Sequence, residues 1–208
     1  MTGLRARQKA LRHERILAAA LQLFGEAGYD RVRTEDIAAA AEVSVGTLYN
    51  YFENKGDLLL ALVTMEVEEV LEQGAAVVNA PPPDIALALD LLIGGYYDHS
   101  NVYLTKALWR TAMALTIEAA ATPFSARYTA LDHSLTEQVC ALVRALQQRG
   151  IARADVDPQA MGQVIFHNLN QMFIEFVKLE AMTLADLKAG VARQNAALAL
   201  LLAKPAQG

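Results

Sequence analysis

Two short helices, predicted to follow each other within the first third of the chain, constrain its fold more than any other feature. Thr34 can cap the first of them, and the acids Glu35 and Asp36 then lie near the positive end of the helix dipole. Ser44 can cap the second helix in the same way. The apolar residues that both helices would bury are Ile37, Ala38, Ala41, Val43, Leu48 and Phe52. This spacing predicts a helix-turn-helix.

The second short helix leaves an unusual set of residues free to face outward. Gly46 permits a close approach, hydroxyl and phenol groups reach phosphates, and the Asn50 amide can read a base edge. Such a face suits a helix that lies in the major groove of DNA. We expect Val45, Gly46, Thr47 and Asn50 to lie nearest the bases. Phosphates should mainly be contacted by Thr34, Tyr49, Tyr51 and Lys55. The full set of predicted DNA-binding residues is Thr34, Ser44, Val45, Gly46, Thr47, Tyr49, Asn50, Tyr51 and Lys55.

About a quarter of the chain carries a recognisable pattern. Its fixed positions are Thr34, Ile37, Ala38, Ala41, Val43, Ser44, Gly46, Thr47, Leu48, Tyr49, Tyr51, Phe52, Lys55, Leu58 and Leu59. The pattern resembles the DNA-binding domain of TetR-family transcriptional regulators and is far more specific than a short motif. One departure is Glu42, where the family usually has Gly. Either Glu42 adopts an unusual backbone conformation or the turn differs.

The distribution of charge is compatible with a phosphate-bearing partner. The net charge is −5, but residues 1–60 hold 8 Lys or Arg against 8 Asp or Glu, whereas the remainder holds 10 against 15. The excess acid therefore lies outside the predicted DNA-binding segment. The first fifteen residues contain a basic cluster suited to phosphate and only one acidic residue, Glu14. The cluster consists of Arg5, Arg7, Lys9, Arg12 and Arg15. A solvated tail accounts for Arg5 and Arg7 equally well.

Several classes of protein are disfavoured by composition. Cys140 is the one cysteine of 208 residues, so an intrachain disulfide is excluded and a cysteine-based zinc site is not expected. No apolar stretch reaches membrane-spanning length, and the amino terminus lacks the apolar core of a signal peptide. We therefore expect a cytoplasmic protein without a membrane partner.

Helical periodicity dominates the whole chain. The pattern predicts an all-α fold with an N-terminal three-helix helix-turn-helix DNA-binding domain at 1–54 and a larger C-terminal helical domain at 55–208. The resemblance implies that this larger domain is an effector-binding and dimerisation domain. Gly28 should end the first helix, Asn54 should cap the fourth, and 74–83 should form a loop. Outside the helix-turn-helix, the predicted helices are 7–27, 54–73, 84–100, 102–120, 123–148, 158–180 and 184–203.

The last two predicted helices are apolar over too much of their circumference for one neighbour. Their apolar residues include Met161, Val164, Ile165, Leu169, Phe173, Phe176, Leu187, Val191, Leu198, Leu201 and Leu202. A fully buried pair in a monomer would explain them. The resemblance favours a homodimer in which these helices form a four-helix interface and the dimer binds a palindromic operator in double-stranded DNA.

Catalytic chemistry is not indicated. The four histidines show no metal-ligand spacing, the serines lack a nucleophile context, and no cofactor motif occurs, so we expect neither an enzyme nor a metal or cofactor site. An all-helical enzyme and an architectural DNA-binding protein without an effector stay open as alternatives. Polar groups in the apolar helix 158–180 need partners, which protein, water or ligand can supply.

The resemblance favours a small-molecule effector in the larger domain, and a repressor that this molecule releases. Few Lys or Arg residues accompany the candidate positions, so a small, largely apolar or aromatic effector is expected. The candidate effector-binding residues are Tyr96, Tyr103, Trp109, Met113, Tyr128, His133, His167, Asn168, Gln171 and Met172.

Overall fold

A computed structural model of the chain describes residues 2–204. These residues form nine helices and no strand, apart from one isolated bridge between Ala152 and Ala203. The predicted all-α fold is confirmed. The helices are α1 (Thr2–Ala27), α2 (Thr34–Ala40), α3 (Val45–Tyr49), α4 (Lys55–Asn79), α5 (Ile85–His99), α6 (Lys106–Glu118), α7 (Pro123–Gln148), α8 (Pro158–Lys178) and α9 (Leu184–Leu202).

The chain forms two compact units. The first comprises residues up to 65 together with 103–128, and the second comprises 66–102 together with the chain from 129 onward. Helices α4 and α7 therefore each contribute residues to both units. The predicted boundary between residues 54 and 55 concerns where the DNA-binding domain ends, and it stays a prediction.

The first unit is built on α1, α2 and α3. The apolar face of α1 is buried through Ile16, Ala20 and Phe24. Gly28 adopts a φ of 81°, and its amide donates to the carbonyl of Phe24 at 3.0 Å. The prediction that Gly28 ends this helix is confirmed. A left-handed backbone conformation costs little free energy at glycine, and it directs the chain away from the helix axis.

Capping agrees with the sequence at two of three predicted positions. The Ser44 hydroxyl accepts from the Thr47 amide at 3.1 Å, and the Asn54 side chain accepts from the Asp57 amide at 3.1 Å. The prediction for Thr34 is wrong. Helix α2 already begins at Thr34, and Arg33 is the cap, its amide donating to the Asp36 carboxylate at 3.1 Å. The Thr34 hydroxyl is one position too late for capping.

The predicted loop at 74–83 begins six residues too early. Helix α4 continues through Gly74 to Asn79 and stops before three consecutive prolines. A Cβ at Gly74 would collide with the side chains of Gln138 and Leu92. Gly74 therefore permits close helix packing here rather than ending the helix, and Pro81 to Pro83 supply the break.

Helix α6 also begins later than predicted. Thr105 caps it, with its hydroxyl accepting from the Leu108 amide at 3.3 Å, so residues 102–105 are not helical. The remaining predicted helix bounds agree with the structure within two residues, apart from the start of α1, which lies at Thr2 rather than Arg7. Differences of one or two residues at a helix end carry no structural meaning, because helix ends fray.

Long polar side chains join the helices of the second unit. The Tyr97 hydroxyl of α5 donates to the Leu169 carbonyl of α8 at 2.8 Å. His99 lies between two carboxylates of α4, with Nδ1 at 2.7 Å from Glu66 and Nε2 at 2.9 Å from Glu69. The contacts of Tyr97 and His99 fix α5 against α8 and α4.

Helix α9 begins with a capping box, in which the Thr183 hydroxyl accepts from the Asp186 amide at 3.1 Å.

Candidate DNA-binding site and effector residues

Helix α3 is short and held from one side. Leu48 at 0% and Phe52 at 5% exposure anchor it, and Ile37 and Ala38 of α2 are buried beneath. His13 of α1 stacks on the Phe52 ring with centroids 5.2 Å apart. The predicted buried set is confirmed except for Val43, which is half-buried. A helix of five residues has little stability of its own, so this packing and the Ser44 cap define its orientation.

The turn between α2 and α3 contains a strained residue. Glu42 has a φ of 54°, its amide donates to Ala39 O at 3.1 Å, and the Val43 amide donates to Ala38 O at 3.0 Å. The prediction of an unusual backbone conformation at Glu42 is confirmed. The turn is thus kept, with a Glu in a left-handed conformation that disfavours residues bearing a Cβ.

The outward face of α3 is free of neighbouring side chains at its centre. A Cβ built at Gly46 meets nothing within 4 Å. Asn50 is exposed, and the Tyr49 ring is 47% exposed. The Thr34 and Tyr49 hydroxyls lie 3.1 Å apart, which joins two residues predicted to touch phosphates. A slender, accessible face with hydroxyl and amide groups at its edge has the shape and chemistry that major-groove binding requires.

The other predicted DNA-binding residues flank this face. The hydroxyls of Ser44 and Thr47 lie 2.8 Å apart, so both belong to the capped start of α3. Val45 and Tyr51 are half-buried. Contacts of these residues with DNA stay predictions.

Lys55 has a more specific environment than the sequence indicated. Its ammonium donates to the carbonyls of Tyr29 at 2.8 Å and Val32 at 3.1 Å, with Asp30 O at 3.4 Å. It also lies 4.3 Å from the centroid of the Tyr29 ring. The Lys55 side chain therefore joins the start of α4 to the segment before α2, and its predicted role at a phosphate comes in addition to this structural one.

The basic cluster near the amino terminus is largely helical. Arg7, Lys9, Arg12 and Arg15 are exposed residues of α1, while the side chain of Arg5 lies outside the described part. Arg15 is 3.5 Å from the Glu42 carboxylate, an exposed pair of little energetic weight. Successive turns of α1 therefore present cations to solvent.

The predicted effector residues fall into both units. Tyr103, Trp109, Met113 and Tyr128 belong to the first unit, where Trp109 is buried and the others are half-buried. The six others belong to the second unit. Their role in effector binding stays a prediction.

Three of the candidates in the second unit have a polar partner on another helix of that unit. The Tyr96 hydroxyl donates to Gln138 at 2.6 Å, and burial raises the pKa of this phenol. The Asn168 amide donates to Gln194 at 2.9 Å, and Gln194 in turn donates to the Met172 sulfur at 3.5 Å. These bonds supply partners that the sequence pattern left open.

The remaining candidates are exposed: His133, His167 and Gln171. Gln171 donates to Glu175 at 3.4 Å, one turn along α8. These three side chains face solvent in the isolated chain rather than a buried cavity.

Apolar side chains stay exposed on α8 and α9. Val164 is 53% exposed, Leu200 78% and Leu201 58%. The inner faces of the same helices are buried through Ile165, Leu169 and Leu187. Both helices thus have a satisfied inner face and a partly apolar outer one.

Two properties of residues 2–204 bear on other classes of site. No helix in this range is both long and apolar enough to span a bilayer. No group of three or more His, Cys, Asp or Glu side chains in the same range is placed to hold a metal ion.

Comparison with known proteins agrees with this geometry. Residues 16–62 match the family model described as bacterial regulatory proteins, tetR family. The HTH-type transcriptional repressor KstR of Rhodococcus jostii is 33% identical over 112 residues, which cover 53% of this chain and 51% of that protein. The chain therefore spans about half of this relative's length.

Solved structures extend the likeness to the whole fold. A TetR-family regulator from Mesorhizobium loti superposes with a TM-score of 0.74 at 17% identity, covering 94% of this chain and 98% of that one. Thermus thermophilus FadR, a TetR-family repressor solved with lauroyl-CoA, gives a TM-score of 0.67 at 22% identity and covers 94% and 97%. At these identities the likeness establishes the fold. Residues 16–62 are therefore similar to the DNA-binding segment of the tetR family of bacterial regulatory proteins, and the chain as a whole shares the fold of solved TetR-family regulators.

Proposed function

We propose that the chain is a sequence-specific DNA-binding transcriptional regulator, a repressor that a small, largely apolar or aromatic effector releases from a palindromic operator. The observation that carries the proposal is the exposed face of α3, where Gly46 has open space beside it and Asn50 is accessible. A relative that is named a repressor supports the sign of regulation.

The proposed DNA binding is tested with variants that separate contacts to bases from contacts to phosphates. Operator sites are selected from a random duplex library with the unmodified protein, and binding is then measured at several salt concentrations. Asn50→Ala should lower the preference for the selected site over scrambled DNA by about 1–3 kcal/mol, because a bidentate amide contact to adenine is lost. Unchanged preference would contradict the assignment of Asn50.

Lys55→Ala is the complementary variant. It should weaken binding to selected and scrambled duplexes alike and reduce the slope of log K against log salt by about 0.9, the value for one phosphate. It also removes the bonds to Tyr29 and Val32 carbonyls, so its folded fraction is measured in parallel. Lys178→Ala, an exposed change in α8, is the matched control. If Lys55→Ala weakens the complex but leaves the slope of log K against log salt unchanged, Lys55 has only a structural role and does not contact a phosphate.

The proposed effector binding is supported by a solved TetR-family structure and by the residue types at the candidate positions. The FadR structure holds lauroyl-CoA, a ligand with a long apolar chain. The ten candidate effector residues are mainly aromatic or amphipathic, and they include no Lys or Arg. We infer that the apolar part of an effector is what this chain recognises, because a highly charged group would need several cations.

Helix α4 is continuous through both units and offers a route by which one ligand can affect the other. Effector and operator should weaken each other by the same factor, since coupling between binding sites is reciprocal. Operator affinity is measured across a panel of fatty acids and aromatic alcohols, with thermal stability as a second readout. A compound that raises the melting temperature and lowers operator affinity supports release, and a panel that does neither favours the effector-free architectural reading.

We propose a regulatory rather than an enzymatic role, acting in the cytoplasm where DNA is accessible. Turnover of a panel compound would support the all-helical enzyme instead. Binding to DNA without sequence preference would support an architectural protein. The homodimer through α8 and α9 is part of the same proposal, supported by the exposed apolar residues Val164 and Leu201.

A further inference from the structure

A groove in the second unit lies apart from all ten predicted effector residues. It runs between α5 and α9 and has a volume of about 300 Å³. This is close to the lower end, about 300 Å³, of the range for small-molecule sites. Its lining residues are Asp90, Ile93, Gly94, Tyr97, Lys188, Ala189, Val191, Ala192 and Asn195.

One wall of the groove contains a buried polar side chain that is only half satisfied. Asn195 is 1% exposed, and its amide nitrogen donates to the Asp90 carboxylate at 2.8 Å. Its carboxamide oxygen has no hydrogen-bond partner among the described residues. Exchanging the two amide atoms would place that oxygen against a carboxylate, which only accepts, so the orientation is determined. Burying an acceptor without a donor is unfavourable, because its hydrogen bond to water is lost and not replaced.

The other polar groups of the groove do not satisfy this oxygen. The Lys188 ammonium donates to the two Asp98 carboxylate oxygens at 2.7 and 2.6 Å. Asp90 is an acceptor. The remaining walls are apolar, with Ile93 at 1%, Tyr97 at 2% and Val191 at 3% exposure. The groove thus combines apolar walls with one buried acceptor, the Asn195 carboxamide oxygen, that lacks a donor.

We propose that the groove between α5 and α9 binds a small, mainly apolar molecule that carries one hydrogen-bond donor, which the carboxamide oxygen of Asn195 accepts. The donor is a hydroxyl or an ammonium group. Asp90 favours an ammonium, because its carboxylate lies beside the same amide. The site does not depend on DNA binding and goes beyond the proposed regulatory function.

The test uses three probes that share one ring and differ in the donor: benzyl alcohol, benzylamine and toluene. Calorimetric titration of the full-length protein measures each affinity. Benzyl alcohol and benzylamine should bind at least about fivefold more tightly than toluene, because only they pair the Asn195 oxygen. In Asn195→Leu the alcohol and toluene should bind equally.

A second pair of variants keeps the test valid if Asn195→Leu does not fold. Gly94 lines the groove, and a Cβ there would lie 3.7 Å from Lys188 Cε, whereas a Cβ at the adjacent Gly95 meets nothing within 4 Å. Gly94→Leu should abolish binding of all three probes, and Gly95→Leu should leave it unchanged.

Three results would overturn the proposal. These are absence of binding by every probe at millimolar concentration, equal binding of toluene and benzyl alcohol to the unmodified protein, and full binding in Gly94→Leu. If Gly94→Leu instead weakens dimerisation and no probe binds, a second copy of the chain fills the groove. Loss of operator binding with the probe affinities intact would refute the regulatory function alone.

Discussion

At the scale of single residues, Glu42 shows how closely a departure from a family pattern can be interpreted. The sequence indicated strain there because glycine is usual, and the structure has a φ of 54°. The sequence could not indicate that Lys55 has a structural role. The carbonyls of Tyr29 and Val32 that accept from its ammonium belong to a loop without a sequence motif.

Glu42→Gly should raise the free energy of unfolding by about 0.5–1 kcal/mol, since relief of left-handed strain of about 1–2 kcal/mol exceeds the extra entropy of glycine in the unfolded chain. Urea denaturation measures the change. Glu42→Ala is the matched control: it removes the exposed contact with Arg15 but keeps the Cβ, and it should not stabilise. Equal stabilisation by both variants would show that charge, not backbone strain, matters at this turn.

Asp132 provides a residue-scale prediction with a defined pH dependence. Burial raises the pKa of this carboxyl to about 6, against a smaller lowering by the neighbouring His133. Its contribution to stability is therefore complete below about pH 3.9 and is lost as the pH rises through 6. Asp132→Asn should stabilise the protein by up to about 3 kcal/mol at pH 7 and by almost nothing at pH 4. Melting curves of Asp132→Asn and the unmodified protein at pH 7 and pH 4 measure the difference. An equal increase of the melting temperature at both pH values would contradict the raised pKa of Asp132.

At the scale of helices, the sequence patterns predicted which helices form better than they predicted the residues at which those helices begin and end. Helices α5, α7, α8 and α9 occur within two residues of the predicted bounds because their caps are local signals. Gly74 was misjudged because its role depends on Gln138 and Leu92, which are distant in sequence. Partners of this kind are invisible to a local pattern, and the same holds for the α5–α9 groove.

The contact of α4 with α5 through His99 should depend on pH. Burial lowers the pKa of His99, but hydrogen bonds and charges of Glu66 and Glu69 outweigh this effect and raise it overall. A raised histidine pKa gives stability that is complete below about pH 6.5 and is lost as the pH rises through the folded-state value. Unfolding free energies between pH 6 and pH 9 should therefore decrease.

His99→Gln tests this dependence directly. It keeps a donor but removes the charge beside the buried Glu66, so it should cost about 3–5 kcal/mol at pH 6. The loss should shrink at higher pH, where the native ring is neutral. A constant difference across the range would mean that packing of the ring, and not its charge, holds the two helices together.

At the scale of the whole molecule, the all-α class and the resemblance to TetR-family regulators followed from the sequence, whereas the exposure of apolar residues on α8 and α9 needed the structure. The apolar pattern of α9 includes Leu201 and Leu202 alike, yet Leu202 is 0% exposed and belongs to the core of the chain. Apolar side chains that pack internally and those that await a partner give the same sequence pattern. Val164 and Leu201, each more than half exposed, are therefore the sharper test of assembly.

Val164→Glu combined with Leu201→Glu should convert a homodimer into folded monomers. Burial of a large apolar side chain is worth about 1.5–3 kcal/mol, and two-fold symmetry removes each contact twice, so the dissociation constant should rise at least about 100-fold. Sedimentation across a dilution series measures it, with circular dichroism to verify the helices. Ile117→Glu is the control, because it makes the same kind of apolar-to-acidic change at a residue of α6 that is 79% exposed, and it should leave assembly intact. An unmodified chain that sediments as a monomer would refute the interface, and operator binding by that monomer would refute the palindromic mode of recognition with it.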